Sequence, residues 1–208
     1  MSGEKRVAVL ISGRGSNLEA LIEAARAPDY PARIVLVLSN NPDAEGLDKA
    51  AAAGIETAVV DHRPFGKDRA AHERLIDARL RQSGVELVAL AGYMRILTPF
   101  LVEAWAGRMV NIHPSLLPAF TGTDTHRRAL DAGVKLHGCS VHMVTLGVDE
   151  GPIVGQAAVP VLEGDDAAAL ADRVLAAEHR LYPACLARLA AGSAGVQPAA
   201  DAVLANPA

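Results

Sequence analysis

Short, almost wholly apolar runs alternating with helix-patterned segments place the tightest limit on what this chain can fold into. The runs are VAVLI at residues 7–11, IVLVL at residues 34–38 and VELVALA at residues 85–91. A strand that is apolar at successive positions has to be covered on both faces, the condition of a parallel sheet layered between helices. The intervening segments read as those helices. Residues 17–26 carry Leu18, Leu21, Ile22 and Ala25 at helical spacing. A second helix is predicted over residues 44–53, stopped at Gly54, and a charged third over residues 67–82, ended near Gly84. A short strand at residues 57–60 lies between these two. None of the runs approaches the ~20 apolar residues that cross a bilayer.

The second half is patterned differently. Loops rich in Gly, Pro and Thr are predicted around residues 111–126, followed by strands over residues 138–145 and 154–161. The short connection at residues 146–152 suits an antiparallel hairpin or a close crossing. A long helix is predicted from about residue 166 to 191, and the Ala/Pro-rich tail at residues 193–208 is expected to fray. No repeat or linker divides the chain. The expectation is an α/β fold with two lobes on one sheet: a Rossmann-like parallel half over about residues 1–100 and a mixed half over about residues 101–192.

Composition narrows the function classes. The 208 residues are 50% hydrophobic and 21% charged, enough for a buried core and too apolar for a disordered chain. A net charge of -4 with no Lys/Arg block argues against a nucleic-acid partner. Cys139 and Cys185 are too few for a disulfide scaffold and too far apart for a metal knuckle. The polar residues MSGEKR lead straight into the first strand with no signal-peptide pattern, so a cytoplasmic protein without membrane association is expected.

The motif LISGRGSNL, residues 10–18, puts Gly13 and Gly15 where the first strand turns into the first helix. One reading is a tight turn with Asn17 as helix N-cap. The other is a phosphate cradle: the glycines let a ligand approach closely, and the helix N–H groups, Ser16 and Asn17 supply donors. The Lys-Ser/Thr ending of a P-loop is missing, and Leu18 stands where a dinucleotide fingerprint has its third glycine. A phosphate monoester therefore fits better than a pyrophosphate.

In NIHPSLLPAF, residues 111–120, Asn111 and His113 are two apart, so an extended chain puts them on one face. An amide donor beside an imidazole suits stabilisation of an oxyanion at a carbonyl carbon; a satisfied polar pair holding a loop is the alternative. Asp149, in VTLGVDEGPIV at residues 144–154, either orients His113 and relays a proton or simply shapes a glycine-flanked turn. His137 and His142 are five apart on a predicted strand and face opposite sides, so no metal site is expected. Cys139 beside Ser140 reads as a small buried strand residue rather than a nucleophile.

In this order, LISGRGSNL, LAGYMRIL (residues 90–97), NIHPSLLP, THRRAL (residues 125–130), HGCSVHMV (residues 137–144), VDEGPIV (residues 148–154) and AEHRLYP (residues 177–183) resemble the folate-dependent glycinamide ribonucleotide formyltransferases over roughly residues 7–192. The resemblance implies one catalytic domain over residues 1–192. It implies transfer of the formyl group of 10-formyltetrahydrofolate, as co-substrate, to the amine of glycinamide ribonucleotide in purine (IMP) biosynthesis, through a tetrahedral intermediate. By position, Asn111 and protonated His113 would stabilise the oxyanion and Asp149 would assist proton transfer. Gly15, Ser16 and Asn17 match the ribonucleotide phosphate contacts, and Glu178 matches the residue that holds the ribose hydroxyls; a solvated helix glutamate is the alternative. Met94, Arg95, Ile96 and Leu97 match one wall of the folate pocket, and Val144, Thr145, Leu146, Gly147 and Val148 the other. Only small-molecule partners are implied, with no metal, for a monomer or homodimer.

Departures from the family pattern fall at Thr123 and Asp124, where leucine and histidine are usual, and at Leu175, where a Gln or Lys often reaches the phosphate. Phosphate binding would then lean on the glycine-rich turn and on Arg14. A formyltetrahydrofolate deformylase with the same triad is the nearest rival, expected to be longer at its N-terminus. A methionyl-tRNA formyltransferase is expected to carry a further C-terminal domain and more positive charge. An NAD-dependent Rossmann dehydrogenase would need the third glycine and an acid after the second strand, where Asn40 and Asn41 stand. A non-enzymatic nucleotide-binding module would need no role for His113.

Overall fold

In the computed structural model, which describes residues 4–192, the first apolar run is strand β1 (Lys5–Ile11), and its alternate side chains feed two different cores. Val7, Val9 and Ile11 face one layer, and Ala8 and Leu10 the other. That is the two-residue period of a strand covered on both faces. Helix α1 (Ser16–Ala24) follows, then β2 (Ala32–Ser39), α2 (Gly46–Ala52), β3 (Thr57–Val59), a 3-10 turn at Arg63–Phe65, α3 (Arg69–Gln82) and β4 (Leu87–Leu90). Gly54, with φ of 71°, closes α2 as its composition predicts, and Asp68 caps α3 by accepting from the Ala71 amide.

The second half holds more regular structure than its sequence suggests. Helix α4 (Pro99–Ala104), strand β5 (Met109–His113) and helix α5 (Thr125–Asp131) lie in or beside the stretch that reads as loop. Strands β6 (Leu136–Met143) and β7 (Ile153–Pro160) form the expected antiparallel pair, and helix α6 (Ala167–Ala190) runs under Asp166, whose side chain accepts from the Ala169 amide.

The described strands make one sheet in the order β3-β2-β1-β4-β5-β6-β7. It is parallel from β3 to β5 and antiparallel at β6 and β7. This is the Rossmann-like half continued by a mixed half. One core packs α1 and α6 on the sheet through Leu18, Leu21, Leu170, Val174 and Leu181. The opposite core packs α3 and α4 through Ile76, Leu80, Leu101 and Trp105. Tyr182, fully buried on α6, sends its hydroxyl to the Leu90 carbonyl at 3.0 Å and the Val110 carbonyl at 3.2 Å, tying α6 to β4 and β5. Among the described residues no helix is long and apolar enough to cross a membrane. The tail at residues 193–208 lies outside the described residues.

Candidate active site

The strand order reverses between β1 and β4: β2 and β3 continue to one side, β5 to the other. Crevices beyond the carboxyl ends of strands at such a reversal are where open α/β sheets take ligands. A cavity of about 300 Å³ lies there. The turn after β1 lines it with Ser12, Gly13, Arg14, Gly15, Ser16 and Asn17, and the chain after β4 with Ala91, Gly92 and Met94.

Gly15 has φ of 72°, and a Cβ there would lie 2.9 Å from the Gly46 Cα, so both the dihedral and the space require glycine. Gly15, not Asn17, is the N-cap of α1, and no side chain caps that helix. Asn17 is drawn instead to α6, where its Nδ2 donates to Glu178 Oε2 at 2.7 Å. Glu178 is 6% exposed, so it is not a solvated helix residue. Burial raises its pKa, and the Asn17 hydrogen bond opposes that shift. The buried Oδ1 of Asn17 has no partner among the described residues, which leaves an acceptor at the cavity wall.

Asn111 and His113 sit on one face of β5, as their spacing predicts, and Asn111 pairs across the parallel ladder with Leu90, one residue before the cavity-lining Ala91. His113 is 5% exposed. Its Nε2 lies 3.0 Å from the Phe120 carbonyl and its Nδ1 lies 3.4 Å from Asp149 Oδ2. Acceptors therefore face both ring nitrogens.

Asp149 reaches this position because the chain after β6 doubles back tightly. A Cβ at Gly151 would collide with the Met143 carbonyl oxygen, so glycine is needed for the return. Asp149 itself holds φ of 58°, and the Gly122 amide donates to its Oδ2 at 2.8 Å. Phe120 (φ 54°), Asp124 (φ 59°) and Asp149 are the non-glycine residues with left-handed dihedrals among the described residues. Strain of this kind concentrates at functional sites, where the surrounding structure holds it in place.

His142 completes the group, and it is the residue that sequence reasoning did not assign. It pairs with Asn111 across the antiparallel β5–β6 ladder. Its Nδ1 lies 3.0 Å from the Met143 carbonyl, which requires the proton on that nitrogen, so Nε2 is left to accept from Asn111 Nδ2 at 3.1 Å. Burial lowers the His142 pKa and keeps the ring neutral, against the pull of the Met143 carbonyl and Asp149. A neutral acceptor on one amide hydrogen fixes which way the Asn111 amide points.

The residues match a known family model, described as formyl transferase, over residues 5–186. The chain belongs to the formyl transferase family. It is 44% identical to phosphoribosylglycinamide formyltransferase of Escherichia coli over 186 residues, covering 89% of this chain and 87% of that one. A crystal structure of phosphoribosylglycinamide formyltransferase from Brucella melitensis is similar with a TM-score of 0.87 and 56% identity, covering 91% of this chain and 97% of that one. The chain is also 50% identical over 188 residues to the human trifunctional purine biosynthetic protein adenosine-3. It spans 18% of that longer protein's length.

Within this formyl transferase the two segments expected to wall a folate pocket anchor in the same core: Leu97 and Val144 both pack on the cluster around Tyr93, Trp105 and Met109. Met94 (72% exposed), Ile96 (63%), Leu146 (63%) and Val148 (52%) stand out from it, uncovered apolar side chains on both segments. Arg95 is half-buried, and Thr145 and the half-buried Gly147 complete the second segment. Glu178 meets the cavity through Asn17 rather than by lining it, and Leu175 is half-buried on the same helix. The loop carrying Thr123 and Asp124 is held by Arg128, which donates to the Thr121 carbonyl at 2.5 Å and the Thr123 carbonyl at 3.3 Å. Asp124 takes the N-cap position of α5, while the His126 ring meets His137 edge-on with its Nδ1 3.2 Å from His137 Nε2. Cys139 is fully buried and burial raises its thiol pKa, which suits a packing residue.

Proposed function

We propose that this chain transfers the formyl group of 10-formyltetrahydrofolate to the amine of glycinamide ribonucleotide. The observation that carries the reading is the convergence of Asn111, His113 and Asp149, with His142, beside the crevice formed by the turn after β1. The names of the Escherichia coli and Brucella melitensis relatives support formyl transfer to the ribonucleotide.

In this reading the phosphate sits at the turn of Gly15, Ser16 and Asn17, where α1 offers amide donors and its positive end. Glu178 accepts from the ribose hydroxyls with Asn17 beside it. The amine nitrogen of the ribonucleotide attacks the formyl carbon, and the carbonyl electron pair moves onto oxygen. Asn111 donates to that oxyanion, and protonated His113 donates to it through Nε2, which turns from the Phe120 carbonyl while Nδ1 stays on Asp149. Asp149 takes the proton released by the attacking nitrogen, through water. The intermediate collapses with cleavage of the bond between the formyl carbon and the folate nitrogen, which leaves with the proton that Asp149 took up, returned through water. The folate lies along Met94, Arg95, Ile96 and Leu97 on one side and Val144, Thr145, Leu146, Gly147 and Val148 on the other. No step calls on a metal, and among the described residues no group of three or more His, Cys, Asp or Glu side chains is placed to hold one.

The test is the absorbance change on conversion of 10-formyltetrahydrofolate, followed with and without glycinamide ribonucleotide. The reading expects turnover only when both substrates are present. Turnover at the same rate without the ribonucleotide would make the chain a hydrolase instead.

A further inference from the structure

Residues 91–98 connect β4 to α4 and carry the folate wall of the proposed function, on which this inference rests. Met94 and Ile96 project from this segment at 72% and 63% exposure, so apolar burial does not hold those positions. The backbone is held by hydrogen bonds instead: at its two ends, and between them by Arg69 of α3, whose Nη1 donates to the Ile96 carbonyl at 3.2 Å. At the start, the Met94 amide donates to Ser12 Oγ at 2.8 Å, and that hydroxyl donates to Asn40 Oδ1 at 2.5 Å. At the end, Thr98 meets Glu73 of α3. The Thr98 amide donates to Glu73 Oε1 at 2.8 Å, and the Thr98 hydroxyl donates to Glu73 Oε2 in a short hydrogen bond.

Glu73 is 2% exposed. A carboxylate that deep is retained only where donors satisfy it, and here both of its oxygens are spent on one residue. Thr98 is the N-cap of α4, with φ of -86° and ψ of 164°, yet its side chain caps nothing. The usual division of labour is therefore inverted: the hydroxyl that would serve α4 is given to α3. Pro99 then fixes the first helical residue, so the conformation of Thr98 sets the direction in which the preceding four residues run. His72, next to Glu73 and also buried, is bonded to the Val60 carbonyl at 2.7 Å, which seats this end of α3 on the chain after β3.

We propose that Glu73 is a positioning residue for the folate: through Thr98 it fixes the backbone of residues 94–97 at the geometry that the folate ring requires. It touches no substrate, and it does not line the ribonucleotide cavity. Met94, which does line that cavity, is held by Ser12 at the far end of the segment, so the effect of Glu73 through Thr98 falls on the folate and spares the ribonucleotide.

Steady-state kinetics of wild type, Glu73→Ala, Glu73→Gln and Thr98→Ala against each substrate test this, together with backbone amide hydrogen exchange over residues 92–98. Glu73→Ala should raise the KM for 10-formyltetrahydrofolate by about tenfold while the KM for glycinamide ribonucleotide changes by less than about twofold. Exchange over residues 92–98 should quicken in that variant. Glu73→Gln keeps the reach of the side chain, with an amide oxygen to accept from the Thr98 N–H and an amide hydrogen for its hydroxyl oxygen, so it should restore the folate KM to within about threefold of wild type. Thr98→Ala, which leaves the buried Glu73 in place, should raise the folate KM in the same direction if Glu73→Ala does not fold. Equal rises in both KM values, or an unchanged folate KM with quickened exchange, would overturn the inference while wild-type turnover leaves the proposed function standing. A wild type that does not transfer formyl at all would instead remove the function on which the inference rests.

Discussion

At the scale of single residues, the site divides into groups whose chemistry the chain spells out and groups that only the register reveals. His142 belongs to the second kind. Its neutral ring accepts from the Asn111 amide, and the sequence shows no more than a histidine 31 residues downstream of an asparagine. Replacing it with alanine frees the amide to rotate, so kcat should fall by about tenfold or more with little change in either KM. Steady-state kinetics check this, and a rise in KM with unchanged kcat would mean that His142 serves binding. Glu178→Gln keeps the shape of the buried pair with Asn17 but gives the ribose one acceptor in place of two. The KM for glycinamide ribonucleotide should rise by about tenfold, with the folate KM within about twofold of wild type. Asn111, His113 and Asp149 were legible because an Asn-x-His pair before proline and an Asp between glycine-bearing strands are unusual strings. The alternative reading of Asn17 as the N-cap was not borne out, because α1 begins at Ser16 with Gly15 in the cap position; the Asn17 Nδ2 goes instead to a partner 161 residues away, of which local sequence carries no sign.

Elements differ in how openly they declare themselves. The apolar runs that became β1, β2 and β4 were legible because two-sided burial leaves no polar position. Strand β5 was not, although it is central in the sheet, because Asn111 and His113 break its apolar pattern for the sake of the site. Helices α4 and α5, of six and seven residues, are too short to show a periodic face. Helix α6 was legible in length and start, yet its attachment to the sheet was not: Tyr182 bonds carbonyls of β4 and β5 that are 92 and 72 residues away. Tyr182→Phe deletes that hydroxyl without changing the packing, so it should lower stability by about 1 kcal/mol in urea unfolding. An unchanged midpoint would show that the hydroxyl contributes nothing to holding α6.

For the whole molecule, the sheet order is what makes the chemistry possible. The reversal between β1 and β4 opens a crevice, and β5 beside β4 delivers Asn111 to its edge. The antiparallel pair β6 and β7 then carries His142 and Asp149 back over β5. This mixed half buries three histidines, His113, His137 and His142, and that should show as acid sensitivity. Burial, with His126 nearby, pulls His137 from its ordinary value of 6.5 down to about 4. The unfolded chain therefore takes up this proton before the folded one does. The contribution of neutral His137 to stability is complete above about pH 6.5 and is lost progressively as the pH falls toward about 4. Wild type should lose more stability than His137→Gln between about pH 7.5 and about pH 5, as read from urea midpoints, and an equal loss would place the acid sensitivity elsewhere.

The central claim is that three side chains from β5 and the turn after β6 act as one centre for formyl transfer, and His113 stands in its middle. The most direct measurement is kcat/KM for formyl transfer by His113→Ala, taken alongside its melting temperature and its affinity for the ribonucleotide. A fall of at least about a hundredfold, with ribonucleotide affinity within about threefold of wild type and the fold intact, is the result this arrangement demands. A folded variant that keeps more than about a tenth of the wild-type kcat/KM would contradict it.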